Sequence, residues 1–346
     1  MPPALPSPLP RLTRMLLRRR RLLHAGAAAG LAMPLLGRGA QAAVTWSLFT
    51  QQTVQTGAVV RGLQRLSDLV RDRTRGALLI NVRTAGFMPI DANQVLDGVG
   101  SGKVELGDDG GYAATIQAGS LMRLPLLMTT GEEWDKVAAL LRPTLTTELN
   151  RRGLVLLAHY RTVPQLFWSR QKAAGFVDIA RQKIRVHSVE QAEFVRHYAG
   201  LHVFTSTVEA GEAMQAGKLD GTFATPSFVA RNWRSLLKHV YLAGPNYNDA
   251  VIVANQEALR RLPEGIEPVL RAAAAETVAW IAAAQDQEEA QLVRQLGNEG
   301  LKATPVNPAE IQDGITKLPS YWDSWVRLRG PEMESLLVTV RQALDR

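Results

Sequence analysis

Cysteine is absent from this chain. That excludes disulfides, thiol catalysis and Cys-ligated metals together. The six histidines, His24, His159, His187, His197, His202 and His239, form no HExxH pair and no other tight ligand spacing. His197 and His202 stand close in sequence, but a glycine and an expected helix end separate them. No metal or cofactor is therefore expected. There is no GxSxG elbow for a nucleophilic serine. The one phosphate-loop lookalike, "GVGSGK" (98–103), lacks the GxxxxGK[ST] spacing and follows a helical pattern instead of opening one. No segment approaches the roughly 18 uninterrupted apolar residues of a membrane span. Acidic residues are missing altogether from the first 42 positions.

That last absence explains the net charge of +8. Arg11, Arg14, Arg18, Arg19, Arg20, Arg21 and Arg38 all fall in residues 1–42, and without them 33 basic residues face 32 acidic ones. The body is nearly neutral, so nucleic acid is not an expected partner. Residues 1–42 read as an export signal: a basic run "LLRRRRLL", the short apolar "LLHAGAAAGLAMPLL" broken by Pro34, then "GAQAA" with small residues at Ala40 and Ala42. Cleavage is expected near Ala42/Ala43. "RRRLL" (19–23) resembles a twin-arginine signal; the general secretory route and a start at Met15 stay open. The expected location is the periplasm.

With 46% hydrophobic residues, the body is long enough for two core-bearing units. "VTWSLFT", "ALLINVRT" and "KVELGDD" read as strands separated by helical patterns, "TGAVVRGLQRLSDLVRDRT" and "IDANQVLDGVGSG", the latter with Asp91 as its cap. This alternation predicts a parallel α/β unit. "EEWDKVAALLRPTLTTELNRRG" continues as helix on both sides of Pro143. A second α/β unit spans about residues 161–240. From Glu267, the positions Val269, Leu270, Ala273, Ala274, Thr277, Ile281 and Ala284 form a helical stripe that can reach Leu296, about 45 Å at 1.5 Å per residue. The expected organisation is lobe I from 43–160 plus about 249–265, lobe II from 161–248, a lobe-spanning helix over 266–298, and a C-terminal helical segment over 299–346.

Within "QKIRVHS" (182–188), Ile184 and Val186 share one strand face, and Arg185 points to the other. Strand position alone leaves open whether Arg185 is solvated polarity or aimed at a ligand. Asp108 and Asp109 are adjacent on a strand and face opposite ways, which argues against an acid/base pair.

The order of several segments resembles the TRAP-transporter solute receptors, the DctP-type periplasmic binding proteins. "LSDLVRDRTRGALLINV", "VLDGVGSGKVELGDDG", "RLPLLMTTGEEW", "GFVDIARQKIRV" and "EAGEAMQAGKLDG" carry the resemblance over about Val44 to Ile311. It implies a two-lobed α/β fold, each lobe a sheet flanked by helices, joined by crossing strands. It implies binding of a small organic acid without catalysis, and delivery to TRAP membrane subunits. A monomer is the expected state, with the oligomeric state left open by the sequence.

The arginine of that family's "KiRv" strand pairs with the ligand carboxylate, and the matching residue is Arg185. A planar guanidinium offers two parallel donors to a carboxylate, which lysine cannot. Departures accompany the match. The Asn that often follows "DG" is replaced in "LDGTFATPSF", so Thr225 or Thr222 would take its place. The second arginine of some members falls at Gln165, with Arg161 and Arg170 nearby but unaligned. A flanking Phe falls at Thr207, and Ser188 lies three residues after Arg185. Further expected wall residues are Gln51 and Gln52, Asp109 and Tyr112, Phe167 and Trp168, and Asn248. The rival readings are an exported hydrolase using Asp109 and His187, and a binding protein of another transporter class.

Overall fold

The computed structural model describes residues 43–346, apart from Phe87, Pro89 and Ala92; the expected export signal lies outside the described residues. The first third of the described chain alternates as expected: β1 (Val44–Thr50), α1 (Ala58–Arg73), β2 (Leu78–Thr84), α2 (Val95–Gly100), β3 (Leu106–Asp109), α3 (Gln117–Leu121), α4 (Gly131–Asn150) and β4 (Leu154–Pro164). The middle supplies β5 (Leu166–Ser169), β6 (Lys183–Val186), α5 (Val189–His197), β7 (Leu201–Phe204), α6 (Thr207–Gln215), β8 (Gly221–Ala224), α7 (Pro226–Asn232) and β9 (His239–Tyr241). Then follow β10 (Tyr247–Asn255), α8 (Gln256–Arg260), α9 (Ile266–Asn298), β11 (Lys302–Thr304), α10 (Pro308–Lys317), α11 (Pro319–Arg327) and α12 (Pro331–Ala343).

Two sheets result, with helices packed against both, which is the two-lobed α/β arrangement expected. One has the order β2-β1-β3-β10-β4, the other β11-β9-β5-β8-β6-β7. In the first, β1 runs parallel to β2 and β3, while β10 returns antiparallel. In the second, β6 is parallel to β7 and β8, and β5 is antiparallel to β8. The chain passes between sheets at Pro164–Leu166 and again before β10. At the first crossing the backbones nearly touch: a Cβ on Gly244 would sit 1.5 Å from the Gln165 carbonyl oxygen. Only glycine fits there.

Local signals account for the elements near the crossings. Thr130 and Glu133 form a reciprocal capping box that starts α4, and Glu132 and Glu133 complement the positive helix start. α4 then continues through Pro143. α9 buries Leu270, Ala273, Ala274, Thr277 and Ile281 along the stripe read from the sequence. It packs on α1 and β4 at one end and on α7 and β11 at the other, so it bridges both sheets.

Two expectations are corrected. α2 starts at Val95, behind Gln94, without a side-chain cap; Asp91 instead accepts the Gln94 N–H through its backbone carbonyl, in a turn. The segment after α9 is not wholly helical, because β11 pairs in parallel with β9 and adds the outer strand of the second sheet.

Candidate functional site

Parallel strands bring their carboxyl ends to one edge of each sheet, where ligands of α/β proteins commonly bind. From the first sheet come the ends of β1 and β3; from the second, the end of β8. A cavity of about 240 Å³ lies between them, lined by Gln51, Gln52 and Gly110 on one side and Thr225, Ser227, Phe228 and Arg231 on the other. Tyr160, Thr162 and Asn248 of the crossing strands and Gln285 and Glu289 of α9 complete the walls. A neighbouring space of about 300 Å³ continues past Arg231 toward the start of α1.

Gln51, Gln52, Thr225 and Asn248, all expected wall residues, meet in this cavity. Thr225 also serves the backbone, because its hydroxyl accepts the Phe228 N–H and caps α7, with Pro226 at the first helical position. Thr222 is sealed within β8, its hydroxyl donating to the Arg185 carbonyl at 3.3 Å.

Arg185 lies half-buried beyond the lining residues of this cavity. Its Nε donates to the Thr205 carbonyl at 3.1 Å, and its guanidinium stands 5.5 Å from the centre of the Trp233 ring. No carboxylate pairs with it among the described residues. Burial alone moves its pKa below the ordinary arginine value.

His187, two residues on, is exposed, while its Nε2 meets Gln165 Oε1 at 2.5 Å. Surrounding protein, then Arg185 and Arg123, lower its pKa to about 4, so the ring is neutral at pH 7.

Beneath the first sheet's lip lies a buried polar network. Asp108 accepts from Thr50 Oγ1 and from Tyr160 OH, both at 2.7 Å; burial nevertheless raises its pKa. Asp109 accepts the Gly111 N–H at 2.6 Å, and burial, aided by Asp108, pushes it up to about 6. Asp249 is also buried, but Arg123 at 3.1 Å, His159 at 2.8 Å and the Tyr112 hydroxyl outweigh that burial and hold it below the usual carboxylate range. Buried charges persist when paired in this way.

Other expected residues are placed elsewhere. Trp168 is fully buried, its Nε1 donating to the Ala224 carbonyl at 3.0 Å within the core of the second sheet. It does not line this cavity. Phe167 is likewise a core residue. Tyr112 sits under the floor, bonded to Asp249 and His159. Ser188 caps α5 by accepting the Gln191 N–H at 3.2 Å. Thr207 is the first residue of α6, behind the Ser206 cap. Arg161 pairs with Asp286 at 2.7 Å.

Arg123, Asp249, His159, Tyr160 and Arg231 were not singled out from sequence. Arg123 did carry a visible signal, as the lone charge in the apolar run "LMRLPLLM". Among the described residues no His, Cys, Asp and Glu group is arranged to hold a metal, and no helix is long and apolar enough to cross a membrane.

Two helix-flanked sheets joined by crossing strands and a bridging helix, with a polar cavity between their strand ends, define a cleft-type solute-binding protein. The family model of the bacterial extracellular solute-binding proteins, family 7 (DctP), matches residues 49–327, and the chain belongs to that family. The family is one of solute-binding proteins, not of enzymes. Solved structures agree on the fold. A TRAP periplasmic solute-binding protein from Ochrobactrum anthropi, with its C-terminus bound in the ligand-binding pocket, is 20% identical at a TM-score of 0.80, over 88% of this chain and 96% of its own. DctP7 of Bordetella pertussis, an extracytoplasmic solute receptor binding pyroglutamic acid, is 21% identical at 0.73, over 86% of this chain and 100% of its own. A TRAP periplasmic solute-binding protein from Chromohalobacter salexigens, with bound D-glucuronate, is 15% identical at 0.75, over 86% and 99%.

Proposed function

We propose that this protein is the extracytoplasmic receptor of a TRAP-type secondary transporter, and that it binds a small organic acid between its lobes through an ion pair with Arg185. The observation that carries this reading is the state of Arg185. Its guanidinium is partly desolvated, anchored through Nε to Thr205 O, and without a carboxylate partner among the described residues. Anchoring at Nε leaves the terminal nitrogens for a bidentate contact. A ligand carboxylate would supply the missing counter-charge, whereas Arg123 and Arg161 already have theirs in Asp249 and Asp286.

Relatives with bound pyroglutamate, glucuronate and galacturonate support an acid ligand. Each carries a carboxylate beside uncharged oxygens. Closure would bring the lips of the cleft together about the crossing strands. The loaded receptor would then dock on its membrane subunits, having been exported by the segment over residues 1–42.

A thermal-shift screen of mono- and dicarboxylates, sugar acids and aromatic acids tests this reading. At least one acid should raise Tm in a concentration-dependent way, and its neutral primary amide should not. A rise with the amide equal to that with the acid contradicts the ion pair.

A further inference from the structure

β4 is the outermost strand of the first sheet, with no strand on its free edge. A cavity of about 440 Å³ lies along that edge, between α4 and α9. Trp134 and Asp135 of α4 form one wall, and Ala279, Ala282 and Ala283 of α9 present methyl groups from the other. His159 and Arg161 of β4 lie between them. Tyr160 is shared with the lining of the cleft cavity.

Two polar groups of this site have no partner. Trp134 is 3% exposed, and its indole N–H finds no acceptor among the described residues. The His159 side chain is also 3% exposed, and its Nδ1 is likewise unpartnered. The far side of that ring sets its tautomer. Nε2 lies 2.8 Å from Asp249 Oδ2 and 2.9 Å from the Tyr112 oxygen, whose own hydrogen goes to the same carboxylate. Both neighbours can only accept, so Nε2 carries hydrogen and Nδ1 of the neutral ring is a bare acceptor. The two rings are in edge contact, their centres 4.9 Å apart.

An unpaired buried donor beside an unpaired buried acceptor costs stability. One group that accepts from the indole and donates to the imidazole satisfies both. A hydroxyl does this. A carboxylate has no hydrogen to give, and an ammonium has no lone pair. The mouth of the cavity agrees. Asp286 is held by both terminal nitrogens of Arg161, at 3.0 and 2.7 Å. Asp135 adds a carboxylate that accepts from hydroxyls and repels anions.

We propose that this cavity is a second small-molecule site, separate from the acid-binding cleft, and that it takes a small neutral polyol. One hydroxyl bridges Trp134 Nε1 and His159 Nδ1, another donates to Asp135, and the carbon chain lies on the alanine methyls of α9. Both nitrogens lie beneath the cavity surface, so binding draws the indole edge outward to meet the ligand. The volume is within the range of small-ligand pockets. This inference stands apart from the acid-receptor reading.

Proton–nitrogen NMR of the tryptophan indoles tests it, with erythritol, xylitol, glucitol and myo-inositol as probes. The Trp134 signal, assigned by its loss in Trp134→Phe, should shift with at least one polyol and saturate in the millimolar range. The His159 Nδ1 resonance should move in step. Ala279 is exposed and lines this cavity but not the cleft. Ala279→Leu should therefore fold normally, fill the site and abolish both shifts. The proposal is overturned if no polyol moves the Trp134 signal, which would leave solvent water alone to meet the two nitrogens. A shift that grows linearly without saturating, or one that survives in Ala279→Leu, overturns it equally. Hydrogen on Nδ1 of His159 in the ligand-free protein would remove the acceptor and the argument for a hydroxyl with it.

Discussion

Asp109 and His187 respond to acid in opposite directions. Asp109 ionises near 3.8 in the unfolded chain and at about 6 in the folded one. Its contribution to stability is therefore full below pH 3.8 and is lost as pH rises to about 6. His187 is protonated below 6.5 when unfolded, but only below about 4 when folded. Its contribution is present above 6.5 and is lost as pH falls toward 4. In wild type the two slopes oppose each other across pH 4–6. Asp109→Asn removes one of them. At about 1.4 kcal/mol per unit, the gap from 3.8 to about 6 is a cost on the order of 3 kcal/mol at pH 7. Urea titrations from pH 4 to 7 should show Asp109→Asn stabilised most at pH 7, with stability that now rises with pH. His187→Gln should instead fall in stability as pH rises over that range. Parallel curves for the two variants would contradict both assignments.

At the scale of elements, α1 and α9 meet through an absent side chain. A Cβ at Gly62 would come within 2.2 Å of Ile281 Cγ1, and Ile281 is fully buried. Gly62→Ala gains about 1 kcal/mol of helix propensity but faces overpacking of about 1–3 kcal/mol. A net loss in urea midpoint is expected; a gain would mean that α9 yields easily there.

The α9 stripe was legible because a 3.6-residue period sustained over about four turns has few alternative readings. The parallel strands were legible from their alternation with helices. The facing of β5 was not, because all four of its residues are buried. With both faces covered, strand alternation could not tell that Trp168 points into core and not into the cleft. Nor could spacing join Arg123 to Asp249, 126 residues apart. That pair exists only once β10 has returned beside β3. Ser188 and Thr225 were read for their place in a resemblance, while their local positions, one ahead of α5 and one before Pro226, already suited helix caps.

Across the whole molecule, the long-range pairs serve distinct purposes. Arg123 with Asp249 and Arg161 with Asp286 fasten the crossing strands to their own surroundings. Arg185 pairs with no carboxylate among the described residues, and only its Nε is committed, to the Thr205 carbonyl. Its substitution should therefore leave the fold intact, since Ile184 and Val186, not Arg185, face the core. Calorimetric titration of wild type, Arg185→Ala and Arg185→Lys, with the acid that the thermal screen returns, tests the ion pair most directly. Truncating one partner of a buried, hydrogen-bonded charge pair costs about 2–5 kcal/mol. Arg185→Ala should lose that much affinity with an unchanged melting curve in the absence of ligand, and Arg185→Lys should recover only part of it, lacking the fork. Binding by Arg185→Ala within about threefold of wild type, near 0.7 kcal/mol, would contradict the account.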